Sequence, residues 1–274
     1  MARWSLHPAI PTQAQVVLLP TAFGIHTQGP SAILRAGGEI NGFEPLLETD
    51  VDDLAIGQIS PVVDEPPFGM CEKVVSQRLK RQQWPVLLPS VMSASWGGIR
   101  AAWKQYPDLA VVHLGAHAQM LPSSEQIQAE EDPGFSSAAW IEQVVKYQIP
   151  VVHVGLRSTT QPGWKWLREE NHPVFWAAQD WDPADVIEAV PQQPIFLALD
   201  VSVLDPALVP TVPYPEPGGV AWPLLLRTCR ALFNSRMVVG VSLGGLSVTS
   251  GTRQAARPVA RILNWLLACH SLSL

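Results

Sequence analysis

The run Val111-Val112-His113-Leu114-Gly115-Ala116-His117-Ala118-Gln119 follows an apolar stretch and sets a glycine, an imidazole and a primary amide at alternate positions. Alternate residues at the end of a strand share one face. Such a face would suit a divalent metal pair that activates water if its residues were carboxylates, whose anionic oxygens hold the ions and offset their charge. Here the strand end delivers one imidazole. Two further segments repeat the pattern after apolar runs: Ala198-Leu199-Asp200-Val201-Ser202-Val203-Leu204-Asp205-Pro206, and Pro85-Val86-Leu87-Leu88-Pro89-Ser90-Val91-Met92-Ser93.

Taken in chain order, the three segments resemble the motifs of the ureohydrolase family of arginases and agmatinases: Gly-Gly-Asp-His-Ser, Asp-Ala-His-x-Asp and Ser-x-Asp-x-Asp-x-x-Asp-Pro. The resemblance puts the six metal-ligand positions of that family on Met92, Gly115, His117, Gln119, Asp200 and Ser202, of which only His117 and Asp200 carry a ligating side chain. The framework follows the family better: Asp205-Pro206, Pro215-Glu216-Pro217-Gly218-Gly219 and Val152-His153-Val154-Gly155-Leu156-Arg157-Ser158 resemble its Asp-Pro, Thr-Pro-Glu-Pro-Gly-Gly and Gly-x-Arg elements. The resemblance runs from roughly residue 80 to 265. The substrate-guanidinium carboxylate of the family would fall on Gly245 and a neighbouring family Asp on Ser242, while Ser124 to Ser137 contains no histidine where a catalytic-loop histidine would stand.

The resemblance implies a three-layer, doubly wound α/β fold with a mostly parallel sheet and helices on both faces. It also implies a subunit without catalytic residues or metal of its own, assembled with an active paralogue in a hetero-oligomer, a hexamer. That partner would carry a binuclear nickel or manganese centre and hydrolyse a guanidine or biguanide C–N bond. In this respect the chain is similar to the non-catalytic subunit of heteromeric metformin hydrolases, which form guanylurea and dimethylamine. Two alternatives stay open: a hydrolase of altered chemistry with one metal on His117 and Asp200, and a small-molecule sensor using the vacated pocket with Arg157 as a contact.

The residue chemistry bounds these readings. Catalytic metal sites generally use about three protein ligands plus water, which His117 and Asp200 do not supply, and hydrogen bonding inside the pocket is the simpler role for both. His113 shares the face of Gly115 but reads as a core histidine, and Asp205 before Pro206 reads as a turn or capping carboxylate. Arg157 can grip a carboxylate with two parallel bonds, as a ligand contact, or form a salt bridge within or between subunits.

The elements that must position these residues are legible as short Val, Ile and Leu-rich runs: Gln15 to Leu19, Pro85 to Val91, Leu109 to Leu114, Pro150 to Gly155, Val174 to Ala177, Ile195 to Asp200 and Met237 to Leu243. They read as buried parallel strands. Helical stretches lie at Met70 to Gln83, Ile99 to Tyr106, Ala138 to Tyr147, Pro183 to Val190, Trp222 to Phe233 and Thr252 to His270, and the alternation indicates a doubly wound sheet whose ligands sit at the strands' carboxyl ends. Loop signals at Gly37-Gly38, Asn41-Gly42 and Pro66-Pro67 predict a long surface excursion between the first strand and the helix near Met70.

Composition fits one α/β domain over 1–274: 47% of residues are hydrophobic and only 15% charged, which implies a large core and an apolar surface that meets other subunits. A net charge of -6 and the absence of a basic run argue against nucleic acid. With no h-region in Met1 to Pro8 and no apolar run of membrane length, the expected location is the cytoplasm, away from membranes. Three scattered cysteines, Cys71, Cys229 and Cys269, suit buried reduced thiols, and most of the eleven tryptophans suit the core.

Overall fold

A computed structural model describes residues 9–24, 27–66, 68–120, 140–247 and 252–274. The stretch Ser124 to Ser137 lies outside the described residues. The apolar runs form strands β1 (Val16–Ala22), β6 (Trp84–Leu88), β7 (Ala110–Leu114), β8 (Val151–Leu156), β9 (Val174–Trp176), β10 (Ile195–Asp200) and β11 (Val238–Gly244), to which the edge adds β4 (Ile56–Gln58) and β5 (Val62–Val63). They make one nine-stranded sheet in the order β4-β1-β6-β11-β10-β7-β8-β9, with β5 also paired to β1. Every pairing in it is parallel. A separate hairpin joins β2 (Phe43–Glu44) to β3 (Thr49–Asp50).

Burial on both faces explains why the strands read as continuous apolar runs. Along β10, Ile195, Leu197 and Leu199 face one layer and Phe196 and Ala198 the other. The first layer holds helices α1 (Gly29–Gly37), α6 (Pro183–Ala189), α7 (Trp222–Ser235) and α8 (Thr252–Ser271); the second holds α2 (Gly69–Lys80), α3 (Ser95–Gln105) and α4 (Trp140–Lys146). α5 (Gln161–Glu169) packs Leu167 beside β9. Local signals set several helix starts: Asp182 accepts from Ala184 N–H at 2.6 Å while Asp185 accepts from Asp182 N–H at 2.8 Å, and Pro183 opens α6.

The N-terminal excursion expected from the sequence is instead largely built into the fold. α1 buries Ala32, Ile33, Leu34 and Ala36 against α8, and β4 and β5 extend the sheet. Arg261 and Asn264 of α8 bind the Glu44 carboxylate at 3.1 and 2.6 Å, and Asn264 also donates to Gly42 O at 3.1 Å, so the hairpin is fastened to the same helix. α1 escaped notice because it opens Gly-Pro and closes Gly-Gly, which are loop signals; Gly29 is required there because a Cβ would lie 2.5 Å from Leu246 O.

All three cysteines are free and buried. Burial pushes the Cys269 thiol up to about 12 and those of Cys71 and Cys229 higher still. Trp84, Trp96 and Trp140 are core residues, whereas Trp164 is exposed with Arg168 over its ring. Among the described residues no helix is long and apolar enough to cross a membrane.

Candidate functional site

The residues singled out from sequence converge at the carboxyl edge of the central strands. Met92 follows β6 in a short 3₁₀ turn, Gly115, His117 and Gln119 follow β7, Asp200 ends β10 with Ser202 in the next turn, and Gly245 follows β11. The strand order brings β6, β11, β10 and β7 side by side, so four separate chain segments meet there.

Asp200 is buried and serves as the cap of the 3₁₀ turn Val201–Val203, its Oδ1 accepting from Ser202 N–H at 2.8 Å. Gln119 donates to Oδ2 at 3.4 Å. Burial pushes the Asp200 carboxyl above the usual carboxylate range, opposed by hydrogen bonds from Ser202 and by the charges of His117 and Arg157. Ser202 Oγ accepts from Ala116 N–H at 3.2 Å and so ties β10 to the end of β7. His117 lies 2.9 Å through Nε2 from the carbonyl oxygen of Tyr214. A carbonyl only accepts, so Nε2 donates in this contact.

A binuclear centre does not fit these residues. Met92, Gly115, Gln119 and Ser202 offer no anionic oxygen and no imidazole, which leaves only His117 and Asp200 as conventional donors among the six positions. Among the described residues no group of three or more His, Cys, Asp or Glu is placed to hold a metal ion.

Arg157 turns to the framework. Its guanidinium donates to the carbonyl oxygens of Ser202, Leu204 and Glu216 at 2.7, 3.0 and 3.1 Å, and to those of Gly155 and Val203 at 3.3 Å. Within the chain it forms a clamp on backbone carbonyls, a role open to Arg because its planar fork carries five N–H donors. Asp205 works beside it, accepting from Ala207 N–H and Gly218 N–H, each at 2.7 Å, which pins the Pro215–Gly219 loop to the end of β10. Gly219 packs on that turn so closely that a Cβ would lie 2.9 Å from Val203 O and closer still to Asp205 N.

His113 is fully buried on the face toward α3 and α4, its Nδ1 3.1 Å from His153 Nδ1 on β8. One imidazole donates and the other accepts, and desolvation disfavours the charged form of both, holding His113 down at about 3 and His153 well below its ordinary value. Sequence reasoning took His113 as a core residue and passed over His153. A signal existed, because each stands two residues before a glycine at the end of a parallel strand, and β7 and β8 pair in that register.

Comparison with known proteins agrees with this architecture. The sequence pattern of the arginase family matches residues 25–268. A relative named N(1)-aminopropylagmatine ureohydrolase, from Synechocystis sp., is 26% identical over 261 residues, covering 87% of this chain and 83% of its own. An agmatinase from Bacillus subtilis is 25% identical over 250 residues, covering 87% and 83%. The solved structure of proclavaminate amidino hydrolase from Streptomyces clavuligerus superposes with a TM-score of 0.82 at 21% identity over 97% of this chain and 96% of the other, which shows the shared fold.

Proposed function

The chain belongs to the arginase family, and from that premise we propose that it is a catalytically silent subunit assembled with an active, metal-dependent paralogue. The partner would hydrolyse a C–N bond of a guanidine or biguanide, metformin being the candidate biguanide, with nickel or manganese supplied at the partner's own centre. This chain would shape and stabilise the complex. The activity class follows from relatives whose names are agmatinase and ureohydrolase.

One observation carries the reading: the site keeps the framework of the fold while four of its six ligand positions hold Met92, Gly115, Gln119 and Ser202, which leaves only His117 and Asp200 with a ligating side chain. A single-metal hydrolase would have His117 and Asp200 as its donors, with no third carboxylate, imidazole or thiolate grouped beside them among the described residues.

The test is recovery of the protein from its own cells by gentle affinity capture, followed by native mass spectrometry. The expected result is a mixed oligomer whose second subunit carries intact ligands and hydrolyses a guanidine or biguanide. A homo-oligomer that carries its own metal, or that turns over such a substrate without a partner, would sink the proposal.

A further inference from the structure

Three serine hydroxyls near the carboxyl ends of the strands are fully buried: Ser93 in the turn before α3, Ser95 at the start of α3 and Ser242 on β11. None has a hydrogen-bond partner among the described residues. A buried hydroxyl without a partner costs free energy that an alanine in its place would not.

The packing of α3 on the strands brings two of them face to face. Ser242 lies between Leu87 of β6 and Ala198 of β10, both of which face the α3 layer. α3 returns against the strand direction after β6, and at Gly98 it rests on the row below: a Cβ on Gly98 would lie 3.2 Å from Phe196 Cζ, and one on Gly240 would lie 2.8 Å from Phe196 Cε2. One turn nearer the helix start, Ser95 therefore stands over the next row, Ser242 and Ala198. Met92 closes the seam from above, its Sδ 3.0 Å from where a Cβ of Gly244 would lie. A serine facing a serine and an alanine leaves room beneath Met92 that larger side chains would fill.

We infer that this seam binds a water molecule between β11 and α3, which exchanges hydrogen bonds with the hydroxyls of Ser242, Ser95 and Ser93. A buried water makes about three such bonds, and serine hydroxyls both donate and accept. A small anion suits the place less well, because the Asp200 carboxylate ends the neighbouring strand two residues beyond Ala198 on the same face. The water offsets part of the cost of the three hydroxyls and links the end of β11 to the helix beneath Met92, whatever partner the chain takes.

The full-length protein is crystallised at a resolution that shows ordered water, and a second crystal is soaked in bromide. The expected result is a density peak about 2.7 to 3.0 Å from at least two of the three oxygens. An empty seam, two of the hydroxyls bonded directly to each other, or an anomalous bromide peak there would each overturn the inference. Melting of Ser95→Ala, Ser242→Ala and the double variant needs no crystal: each single change should lower the thermal midpoint by about 2 °C, and the double variant should fall short of the sum because both changes loosen the same water. A midpoint that Ser242→Ala leaves unchanged or raises, or losses that simply add, would overturn it as well.

Discussion

Around Arg157 most polar groups meet partners, with the two terminal guanidinium nitrogens on five carbonyls and both oxygens of Asp205 on backbone N–H groups, although Arg157 Nε is buried without a partner among the described residues. Across the same strand ends, His113 Nε2, His153 Nε2, Ser93 Oγ and Ser242 Oγ are buried with no hydrogen-bond partner among the described residues. Ser242 and His113 flank Ala198 on either side of β10, and His153 continues the row on β8. Buried polar groups without partners are uncommon and costly. The clamp therefore contributes to holding the strand ends together, whereas the row beneath the ligand positions is retained at a cost, and the two regions should answer mutation very differently.

The largest effect is expected at the clamp. Arg157→Ala would strand several buried carbonyls at once and should cost on the order of 4 kcal/mol in urea unfolding, with Arg157→Lys recovering little because an ammonium cannot span the same fork. A loss under about 1 kcal/mol would erase the contrast between the regions.

Gly219→Ala comes next, at about 2 to 3 kcal/mol, since its methyl would meet the backbone of Val203 to Asp205, which cannot rotate away. Gly218 has φ +67° with open space around it, so Gly218→Ala meets only backbone strain and should cost less in the same assay.

The histidine row should show itself in pH dependence. A histidine whose folded value is depressed contributes stability that is present above its unfolded value and is lost as pH falls; for His113 that window runs from 6.5 down to about 3. Melting across this range should show stability falling with acid. His153→Gln should remove about 1.4 kcal/mol per pH unit from that slope, and an unchanged slope would mean that the pair is not held neutral.

The smallest effect is expected at Asp200→Asn. The amide can still accept from Ser202 N–H and no longer carries a buried charge, so stability at neutral pH should shift by no more than about 1 kcal/mol. In the assembled complex, turnover should stay nearly intact; loss of hydrolysis would make Asp200 a working ligand and reverse the reading of this region.

Much of the fold was legible because long apolar runs fix buried strands whatever their neighbours do. β10 occupies the span expected, Ile195–Asp200, and β6 ends three residues earlier than expected because Pro89 begins the turn toward Met92. What escaped were α1, α5, β4 and β5, which are short, begin with Gly-Pro or Gln-Pro, or carry too few residues for a period to show. Their stability comes from docking on α8, β9 and β1, which no local window contains.

The sequence by itself determined which donor atoms stand at the strand ends, since donor type belongs to the residue, and it ordered the segments that carry them. Only the tertiary structure decided what those atoms do. The guanidinium of Arg157 settles on carbonyls from Ser202 to Glu216, His113 finds a partner 40 positions away, and Ala116 reaches Ser202 across 86 positions. Partner choice for a long polar side chain, and the room beside a glycine, depend on distant segments brought together by burial of the sheet.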